Sequence, residues 1–467
     1  MHLPNRTDTI CALATAPGMG ALAVIRISGK ETFPTLSRLF KTMKGKTKDF
    51  GTVRPYSIHY GQINDAGMVV DEVLISIFKT PHSFTGEDVA EISCHGSVYI
   101  QQAILQLLQR NGIRMAEAGE FTLRAFLNGK MDLSQAEAVA DLISAQHAGA
   151  HKAALQQLRG GYSSTIRDLR TRLVDFASLI ELELDFAEED VEFANRDKLL
   201  ELVLELRHEV KKLQESFASG NVMKNGVPVL IAGKPNVGKS TLLNALLNEE
   251  RAIVSDIAGT TRDVIEDHLV IDGIRFRFMD TAGIRHTDDT IEKIGVERTL
   301  QHAAKASIII YLCDPAQSDA KELQREWNDL LQGIDPSAVM CITVINKSDR
   351  FDYDQLLKEY RELPNAVFIS AKEGRNIDEL KAKLAGAAIG RGEQGDQSIV
   401  TSARHAESLH LAASALQKVI DGIHHQLVTD LLALELKDAI YHLGNITGEV
   451  YTDDLLGNIF SKFCIGK

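Results

Sequence analysis

The sequence predicts a multidomain fold: an α+β N-terminal domain, an all-α helical domain, and an α/β domain inserted into the helical one. Short runs rich in Val and Ile alternate with turn signals up to about residue 128. Two Ala- and Leu-rich regions with helical patterns then lie before and after a stretch in which buried strands alternate with helices. Because helical regions lie on both sides of that stretch, an insertion is the most economical interpretation. Four independent domains in a row remain the alternative.

The N-terminal domain is predicted to span residues 1–128. The stretches "ALAVIRISG", "MVVDEVLISIFK" and "DVAEISCHG" are typical of strands. The stretch "SVYIQQAILQLLQRNG" is predicted to be a helix, because Ile100, Ile104 and Leu107 recur at helical spacing and Gly112 ends the run. Strands mixed with a helix in this way indicate an α+β domain.

The helical domain is predicted in two parts, residues 129–222 and 385–467. Ser134 followed by Glu137 indicates a capping box at the start of its first helix. A later stretch carries apolar residues at steps of three and four, which predicts one helix face packed in a core. These residues are Leu199, Val203, Leu206, Val210, Leu213 and Phe217. The acidic stretch "DFAEEDVEF" between the helices is predicted to be a loop or a helix cap.

Composition places the chain among soluble globular proteins. Its 467 residues are 44% hydrophobic and 25% charged, and the net charge of -13 gives no sign of a general nucleic-acid binder. The segment "KTMKGKTK" is locally basic. A solvated loop is the favoured interpretation of that segment, and an RNA-facing patch is the alternative.

The cysteines and the termini bear on the cellular compartment. The five cysteines form no CxxC pair, which indicates a reducing compartment and no structural zinc site. They are Cys11, Cys94, Cys313, Cys341 and Cys464. We find no signal-peptide pattern at the start and no apolar run of the ~18–20 residues that span a bilayer. The sequence therefore predicts a cytoplasmic protein without a membrane segment.

The predicted inserted domain, residues 223–384, carries a phosphate-binding loop. The motif "GKPNVGKS" follows the apolar run "VPVLIA" and precedes "TLLNALL", which is the strand–loop–helix context that a GxxxxGKS loop requires. Its backbone amides and the helix N-terminus are expected to surround the phosphates. Lys239 is expected to reach the β and γ phosphates, and the Ser240 hydroxyl to bind magnesium.

Three further motifs indicate GTP rather than ATP. In "DTAG", Asp280 is expected to hold magnesium through water, and the Gly283 amide to face the γ-phosphate. In "NKSD", the Asp349 carboxylate can accept two N–H groups of guanine, whereas adenine would leave the carboxylate unpaired. The motif "SAK" resembles the supporting loop on the base side. The predicted domain is therefore a Ras-like GTPase domain.

Two features bear on hydrolysis. Ile284 stands where small Ras-like GTPases carry the Gln that orients the attacking water, so another group must orient it. Arg285, His286, Asp288, Asp289 and Glu292 follow in the same segment. The segment "SDIAGTTRD" is predicted to be a switch, in which one of two threonines completes the magnesium shell. Asn236 in the phosphate loop is a candidate ligand of a monovalent cation.

With these motifs the chain resembles the MnmE (TrmE) family of bacterial tRNA-modification GTPases. The resemblance covers nearly the whole chain. It includes "TICALATAPGMGALAVIRISG", "FTGEDVAEISCHG", "GEFTLRAFLNGKMDLSQAEAVADLI", "DIAGTTRD", "DTAGIR" and the terminal "CIGK". These stretches are more specific than a generic GTPase motif.

The resemblance implies an activity, cofactors and partners. GTP hydrolysis would be coupled to adding an aminomethyl or carboxymethylaminomethyl group to C5 of the wobble uridine, position 34, of certain tRNAs. The N-terminal domain would bind 5-formyl- or 5,10-methylene-tetrahydrofolate and form a homodimer, and potassium would promote hydrolysis. The FAD-dependent protein MnmG would join the homodimer in a heterotetramer. A ribosome-assembly switch and a scaffold with a degenerate GTPase domain are the alternatives.

The resemblance also implies roles for individual residues. Glu292 matches the residue that orients the hydrolytic water. The potassium ligands would be Asn236, Ser255, Ile257 and Thr260, and the magnesium ligands Ser240 and Thr261. The folate ligands would be Arg26, Glu91, Lys130 and Lys467. The predicted GTP-binding residues are Asn236, Val237, Gly238, Lys239, Ser240, Thr241, Ser255, Asp256, Ile257, Ala258, Gly259, Thr260, Thr261, Asp280, Thr281, Ala282, Gly283, Asn346, Lys347, Asp349, Ser370, Ala371 and Lys372.

The C-terminal "CIGK" raises a separate question about Cys464. Prenylation is disfavoured because Lys467 is not a usual last residue of that box and no polybasic run supports it. The family match ties Lys467 to the folate, which would place Cys464 near the one-carbon unit. A catalytic role for Cys464 is therefore favoured, and packing is the alternative.

Overall fold

The structure is a computed structural model, and it describes residues 8–185, 196–248, 267–279, 303, 305–330, 339–361, 363, 365–389 and 399–466. The chain forms two compact units. The first comprises Met1–Ser144, Ala154–Val210 and Ser408–Lys467, and the second comprises Ala145–Ala153 and Lys211–Glu407. The domain boundaries expected from the sequence stay predictions.

A seven-stranded sheet forms one part of the first unit. Its strands are β1 Ile10–Leu13, β2 Leu22–Ser28, β3 Phe40–Thr42, β4 Ser57–Asp65, β5 Met68–Phe78, β6 Val89–His95 and β7 Arg114–Met115. Their order is β3-β4-β5-β6-β2-β1-β7, and all pairs are antiparallel except β1 with β7. The strands predicted from "ALAVIRISG", "MVVDEVLISIFK" and "DVAEISCHG" are thus confirmed as β2, β5 and β6.

The two faces of this sheet differ in burial because side chains alternate along each strand. On one face Ile25, Ile75 and Ile92 are fully buried in a core with residues of α1 (Thr32–Leu39) and α2 (Val98–Arg110). The predicted helix over "SVYIQQAILQLLQRNG" is confirmed as α2. The opposite face leaves several apolar side chains in solvent, among them Leu22 at 69% exposure and Tyr60 at 54%.

Helices from both ends of the chain pack together beside this sheet. The helices before the insertion are α3 Glu120–Leu127, α4 Leu133–Ser144, α5 Ala148–Leu158, α6 Ser163–Asp185 and α7 Arg196–Asn225. In the first unit, Leu123 of α3 and Leu133 of α4 share a core with Leu456 and Phe460, which lie over 300 positions later in the chain. Helices on both flanks of the α/β stretch therefore form one helical region, as the sequence predicts.

The apolar face predicted in the long helix is confirmed along α7. Leu199, Val203, Leu206 and Val210 are fully buried, and Leu213 is nearly so. Phe217, the last member of the series, is half-buried. The predicted loop "DFAEEDVEF" lies almost wholly outside the described residues.

The capping box predicted at Ser134 and Glu137 is wrong by two residues. Asp132 caps α4 instead, because its Oδ1 accepts from the backbone N–H of Gln135 at 2.9 Å. Gln135 Oε1 accepts from the backbone N–H of Asp132 at 2.9 Å, which completes the reciprocal pair. Ser134 lies inside the helix, fully buried and hydrogen-bonded to Ser163 at 2.6 Å. The Ser134 hydroxyl also donates to Asp132 Oδ1 at 2.8 Å, and because Ser163 lies 29 positions away, local spacing could not identify that buried contact.

A second sheet of six strands forms the α/β part of the second unit. Its strands are β8 Val227–Ala232, β9 Asp267–Ile271, β10 Ile274–Met279, β11 Ile308–Cys313, β12 Met340–Ile345 and β13 Val367–Phe368. The order is β13-β12-β11-β8-β10-β9, with only β9 and β10 antiparallel. Every residue of β8 and β11 is buried, and two apolar cores line the sheet. The predicted α/β fold of this domain is confirmed.

The remaining helices complete the two units. They are α8 Lys239–Asn248, α9 Ala320–Leu330, α10 Tyr353–Glu359, α11 Ile377–Ile389, α12 Ala403–His424, α13 Thr429–Thr447 and α14 Asp453–Phe460, with a 3₁₀ turn at Ser348–Arg350. In the described part of the chain, none of the helices has both the length and the apolar character needed to cross a bilayer.

Candidate functional site

The loop between β8 and α8 has a backbone that requires glycine at two positions. Gly233 has a φ of +142°, and a side chain there would clash with the carbonyl oxygen of Leu312. Gly238 has a φ of +102°, and a side chain there would clash with the amide nitrogen of Asn346. The Lys239 ammonium donates to the Gly233 carbonyl at 2.6 Å, so this cation lies against the loop. A positive side chain and a helix N-terminus thus face one concave loop, which suits an anion.

Asn346 ties three loops together at the carboxyl ends of the parallel strands. Its side chain is 2% exposed. The amide nitrogen donates to the Val237 carbonyl at 2.9 Å, and the amide oxygen accepts from the Ala371 N–H at 3.0 Å. The backbone N–H of Asn346 donates to the Cys313 carbonyl at 2.8 Å. One buried side chain therefore fixes the distance between the phosphate loop and the "SAK" loop.

Lys347 makes a second link to the phosphate loop. Its ammonium donates to the main-chain carbonyl of Asn236 at 3.0 Å and to the Asp314 carboxylate at 2.7 Å. Asp314 is almost completely buried, and Lys347 is partly exposed. Asn236 and Lys347 both adopt left-handed backbone conformations, with φ of +62° and +59°. The Asn236 carbonyl is therefore engaged by protein, and its exposed side chain is the part directed to solvent.

Asp349 lies beside these links with its carboxylate accessible. A hydrogen bond from the buried Ser370 hydroxyl lowers the pKa of the Asp349 carboxyl below its ordinary value. Ser370 also accepts from the Glu373 N–H at 3.3 Å, which orients its hydroxyl. An ionised carboxylate next to an ordered loop can accept two adjacent N–H donors. Lys372, the last residue of the "SAK" motif, is exposed.

Lys234 holds the phosphate loop against a neighbouring segment, a contact that no sequence motif indicates. The ammonium of Lys234 contacts three side chains of the β11–α9 segment, Ser318 at 2.8 Å and Glu322 and Glu326 at 2.7 Å each. Glu326 also accepts from the Tyr311 hydroxyl at 2.7 Å. The spacing of Glu322 and Glu326 by four residues indicates a shared helix face, but nothing in the sequence pairs that face with Lys234.

Part of the predicted nucleotide site lies outside the described residues. These positions are Ser255, Asp256, Ile257, Ala258, Gly259, Thr260, Thr261, Asp280, Thr281, Ala282, Gly283 and Glu292. The described part of the site consists of the loop from Asn236 to Thr241 and the two base-side loops. Ser240 lies half-buried in the first turn of α8, beside Lys239.

A second candidate site is centred on Arg26 in the first unit. Arg26 on β2 and Glu91 on β6 are cross-strand neighbours, and two guanidinium nitrogens contact Glu91 Oε1 at 3.0 and 2.8 Å. The rings of Phe84 and Phe121 lie 5.5 and 5.7 Å from the guanidinium carbon. Two aromatic faces and one carboxylate therefore fix the orientation of this cation.

The C-terminal tail is bound at the same place. Arg26 donates to the Gly466 carbonyl at 3.3 Å, and Ile465 forms an isolated β-bridge with Ala118. Gly466 has a φ of +95°, and a side chain there would clash with the Leu13 carbonyl. Cys464 is exposed, while the preceding Phe463 is buried. The described tail is therefore docked, with its thiol accessible.

Lys130 is linked to this site through one loop. Its ammonium donates to the Pro81 carbonyl at 2.9 Å, and Phe84, which faces Arg26, lies three residues further along that loop. Lys467 lies outside the described residues.

The sequence does not predict a role at this site for Phe84, Phe121 or Gly466. They lie in the family stretches "FTGEDVAEISCHG", "GEFTLRAFLNGKMDLSQAEAVADLI" and "CIGK", but the packing of a ring on a distant arginine has no local sequence signal.

Two family models match the chain. The model described as the GTP-binding protein TrmE N-terminus matches residues 9–130, and the one described as the MnmE helical domain matches residues 133–464. A tRNA modification GTPase MnmE from Flavobacterium johnsoniae is 53% identical over 98% of this chain and 99% of its own. Its counterpart from Porphyromonas gingivalis is 48% identical over 100% of this chain and 99% of its own.

Among solved structures, the chain is similar to the G domain of the T. maritima FeoB iron transporter. That match has 25% identity, covers 35% of this chain and 98% of the other, and has a TM-score of 0.24.

Proposed function

Because the chain belongs to the MnmE family of tRNA modification GTPases, we propose that it hydrolyses GTP in the course of modifying tRNA. The observation that carries this proposal is the ionised Asp349 carboxylate, held by Ser370 beside a phosphate loop that Asn346 fixes in place. Guanine presents two N–H donors on one edge, and adenine presents an acceptor there. The arrangement therefore favours a guanine nucleotide.

The phosphate end of the nucleotide would bind at the start of α8. Lys239 and the first amides of α8 would hold the phosphates, since both present positive charge to one concave loop. Ser240 fits a magnesium ligand, because its hydroxyl lies in the first helical turn beside Lys239 and hydroxyl oxygens suit that ion. Thr261, and Asp280 through water, would complete the set. Magnesium would neutralise charge that develops on the phosphates.

Potassium would be held by oxygen atoms of the phosphate loop and of the segment 255–260, with Ser255 and Ile257 contributing main-chain oxygens, and the hydrolytic water by the segment that contains Glu292. The Asn236 carbonyl is engaged by Lys347, so the exposed Asn236 amide oxygen is the group that would hold potassium, together with Ser255, Ile257 and Thr260. Potassium would supply positive charge near the leaving group. Glu292 would orient the water, because Ile284 has no hydrogen-bonding side chain.

We propose further that the Arg26 site binds a tetrahydrofolate derivative. The guanidinium hydrogen-bonds only one Glu91 oxygen, Oε1, which leaves Oε2 to accept from the amino-pyrimidinone edge of a pterin. Lys130 and Lys467 would bind the folate carboxylates. The folate would supply the one-carbon unit. The exposed Cys464 thiol would lie near that carbon as a nucleophile.

The product would be a C5-aminomethyl or carboxymethylaminomethyl group on uridine 34, made in the cytoplasm with the FAD-dependent partner MnmG in a heterotetramer. The proposed homodimer would form through the open face of the first sheet. Leu22, Tyr60 and Leu74 of that face are 69%, 54% and 45% exposed, and burying such a row of apolar side chains stabilises association.

The proposal is tested by nucleoside mass spectrometry of tRNA from a strain that lacks the chain. We expect the C5 substituent of wobble uridines to be lost and to return with the wild-type chain. Unchanged uridines together with altered ribosomal subunits would contradict it and favour an assembly switch.

A base-specificity swap tests the nucleotide assignment on the purified chain. Asp349→Asn replaces one acceptor by a donor, so we expect weaker GTP binding and stronger xanthosine triphosphate binding, because xanthine carries a carbonyl where guanine has its amine. Asp354→Asn, an exposed position on the next helix, is the matched control. Equal GTP affinity in both variants would remove Asp349 from the base site.

A further inference from the structure

A basic hairpin at one edge of the first sheet has no place in the function proposed above. This lysine hairpin, residues 41–48, contains Lys41, Lys44, Lys46 and Lys48 and no acidic residue. It begins on β3, which is an edge strand of the sheet. Four positive charges in eight residues contrast with the net charge of -13 of the whole chain.

The tip of the lysine hairpin has a defined shape. The backbone N–H of Thr42 donates to the Lys46 carbonyl at 2.9 Å, and that of Gly45 donates to the Thr42 carbonyl at 2.7 Å. Gly45 has a φ of +71°, which a tight turn accepts most readily at glycine. Lys41 and Thr47 form an antiparallel bridge that closes the hairpin. The tip therefore presents Lys44 and Lys46 from an ordered turn.

The base of the hairpin is anchored in the sheet core. Phe50 is fully buried, with its ring centroid 5.2 Å from that of Phe40, and its N–H donates to the Ser37 hydroxyl at 3.0 Å. The Lys79 ammonium donates to the Gly51 carbonyl at 2.6 Å. These contacts hold the chain just after the hairpin, so the lysines project from a rigid support.

The charge of the hairpin is not neutralised locally. Across the described ranges of the chain, Lys41, Lys44 and Lys46 form no ion pair, and Lys44 and Lys46 are exposed. The nearest acidic residue in sequence, Asp49, uses one carboxylate oxygen to accept from the Gly51 N–H at 2.9 Å. The Lys48 ammonium lies 2.7 Å from His59 Nδ1; burial and this cation hold the pKa of His59 below its usual value.

We propose that the lysine hairpin binds the phosphate backbone of the RNA substrate. The proposal rests on the function proposed above, which supplies an RNA as substrate. Exposed lysines without acidic partners suit phosphates, because such contacts add affinity by releasing counterions and do not depend on sequence. Because the backbone of the turn is already ordered, binding would cost little further backbone entropy.

The position of the hairpin fits a nucleic acid that reaches the Arg26 site. Four strand spacings separate β3 from β2, which carries Arg26. At ~4.8 Å per spacing the two lie roughly 19 Å apart across the sheet. An RNA with its target base at Arg26 would therefore have backbone phosphates within reach of the hairpin.

The test compares tRNA binding by the full-length chain and by two charge variants. The probe is an unmodified tRNA transcript, and its affinity is measured at several salt concentrations. In Lys44→Gln with Lys46→Gln we expect the slope of log affinity against log salt to fall by about two, and the affinity at about 0.1 M salt to drop about tenfold to a hundredfold. Lys211→Gln with Lys212→Gln, two exposed positions on α7, removes the same charge elsewhere and should change little.

Further variants and probes test whether weaker tRNA binding comes from lost phosphate contacts or from a damaged fold. They also test whether the hairpin binds a membrane surface instead. Lys44→Arg with Lys46→Arg keeps the charge and should keep the slope. GTP hydrolysis without RNA and 5-formyltetrahydrofolate binding should match wild type in every variant, which shows that the fold is intact. Loss of binding to anionic lipid vesicles without loss of tRNA binding would overturn the proposal in favour of a membrane surface.

A complementation experiment in cells, combined with the binding measurement, distinguishes the failure of the hairpin proposal from the failure of the proposed function. If the chain restores the wobble modification and the Lys44→Gln with Lys46→Gln variant binds tRNA as wild type does, only the hairpin proposal falls. If the strain without the chain keeps its wobble modification, the proposed function falls first.

Discussion

The loops around Asn346 and the site around Arg26 differ in burial and in how their parts are held. Asn346 is 2% exposed, and it joins Val237 and Ala371 through two hydrogen bonds inside one compact sheet edge. The Arg26 and Glu91 side chains are 15% and 27% exposed, and the tail is attached through the Gly466 carbonyl and one isolated bridge. The first site is held together inside one sheet edge, whereas one side of the second is formed by the C-terminal tail.

This difference predicts how each site responds to change. A buried polar group that loses its partner costs about 1–3 kcal/mol, so damage at Asn346 spreads to every loop it touches. The tail is held by a hydrogen bond to a charged group, which contributes about 1.5–3 kcal/mol. Displacement of the tail should therefore affect the Arg26 site and leave the nucleotide loops intact.

The largest effect is expected for Asn346→Ala. The change leaves the Val237 carbonyl and the Ala371 N–H without their buried partner, and the phosphate loop and the "SAK" loop lose their common link. We expect GTP affinity to fall at least about 30-fold, since two such losses amount to about 2–6 kcal/mol and each ~1.4 kcal/mol is a factor of ten. Affinity is measured with a fluorescent GTP analogue.

Asn328→Ala, on the exposed face of α9, is the control for this variant and should bind GTP normally. Folate affinity should be unchanged in both variants. If folate binding falls together with GTP binding in Asn346→Ala, the contrast between the two sites does not hold.

A smaller effect, confined to the other site, is expected for Gly466→Ala. The new side chain meets the Leu13 carbonyl and imposes a φ of +95° on a residue that disfavours it. Such backbone strain costs about 1–3 kcal/mol, so 5-formyltetrahydrofolate affinity should drop about tenfold by calorimetry while GTP hydrolysis holds.

Gly67→Ala is the matched control for the tail variant. Gly67 also has a positive φ, +92°, but a side chain there meets nothing within 4 Å. It carries the same kind of backbone strain without the clash. Equal folate affinity in the two variants would show that tail docking does not contribute to the site.

The smallest effect is expected for Ser370→Ala, and it appears in the pH dependence. The Ser370 hydrogen bond lowers the pKa of Asp349, so GTP affinity should persist as pH falls through the ordinary aspartate range, about pH 4, and be lost only below it. In Ser370→Ala, which lacks that hydroxyl, the loss of GTP affinity should begin at higher pH.

The control for the pH measurement is Ser348→Ala, in the same "NKSD" motif, which should retain the wild-type acid limit. An unchanged acid limit in Ser370→Ala would mean that another group keeps the Asp349 carboxylate ionised.

Much of the nucleotide site could be predicted because its parts are contiguous motifs. Gly233 to Ser240 form one loop whose spacing follows from the backbone, and the described geometry has the two glycines that this loop needs. The capping-box prediction was wrong because two neighbouring pairs of residues have the same spacing, and local spacing alone cannot choose between them. Asp132 with Gln135 has the same three-residue spacing as Ser134 with Glu137, but Asp132 is the residue that caps α4, and the Ser134 hydroxyl bonds to Asp132 and Ser163 instead.

The sequence by itself determined the family, the division into α+β, all-α and α/β regions, and the nucleotide motifs. Each of these depends on residues that lie close together in the chain. Tertiary structure alone decided that Phe84 and Phe121 flank Arg26, that Lys234 is bound by α9, and that the tail ends beside β2. Arg26 and Gly466 are 440 positions apart, and no local pattern encodes a contact that only strand pairing and packing bring about.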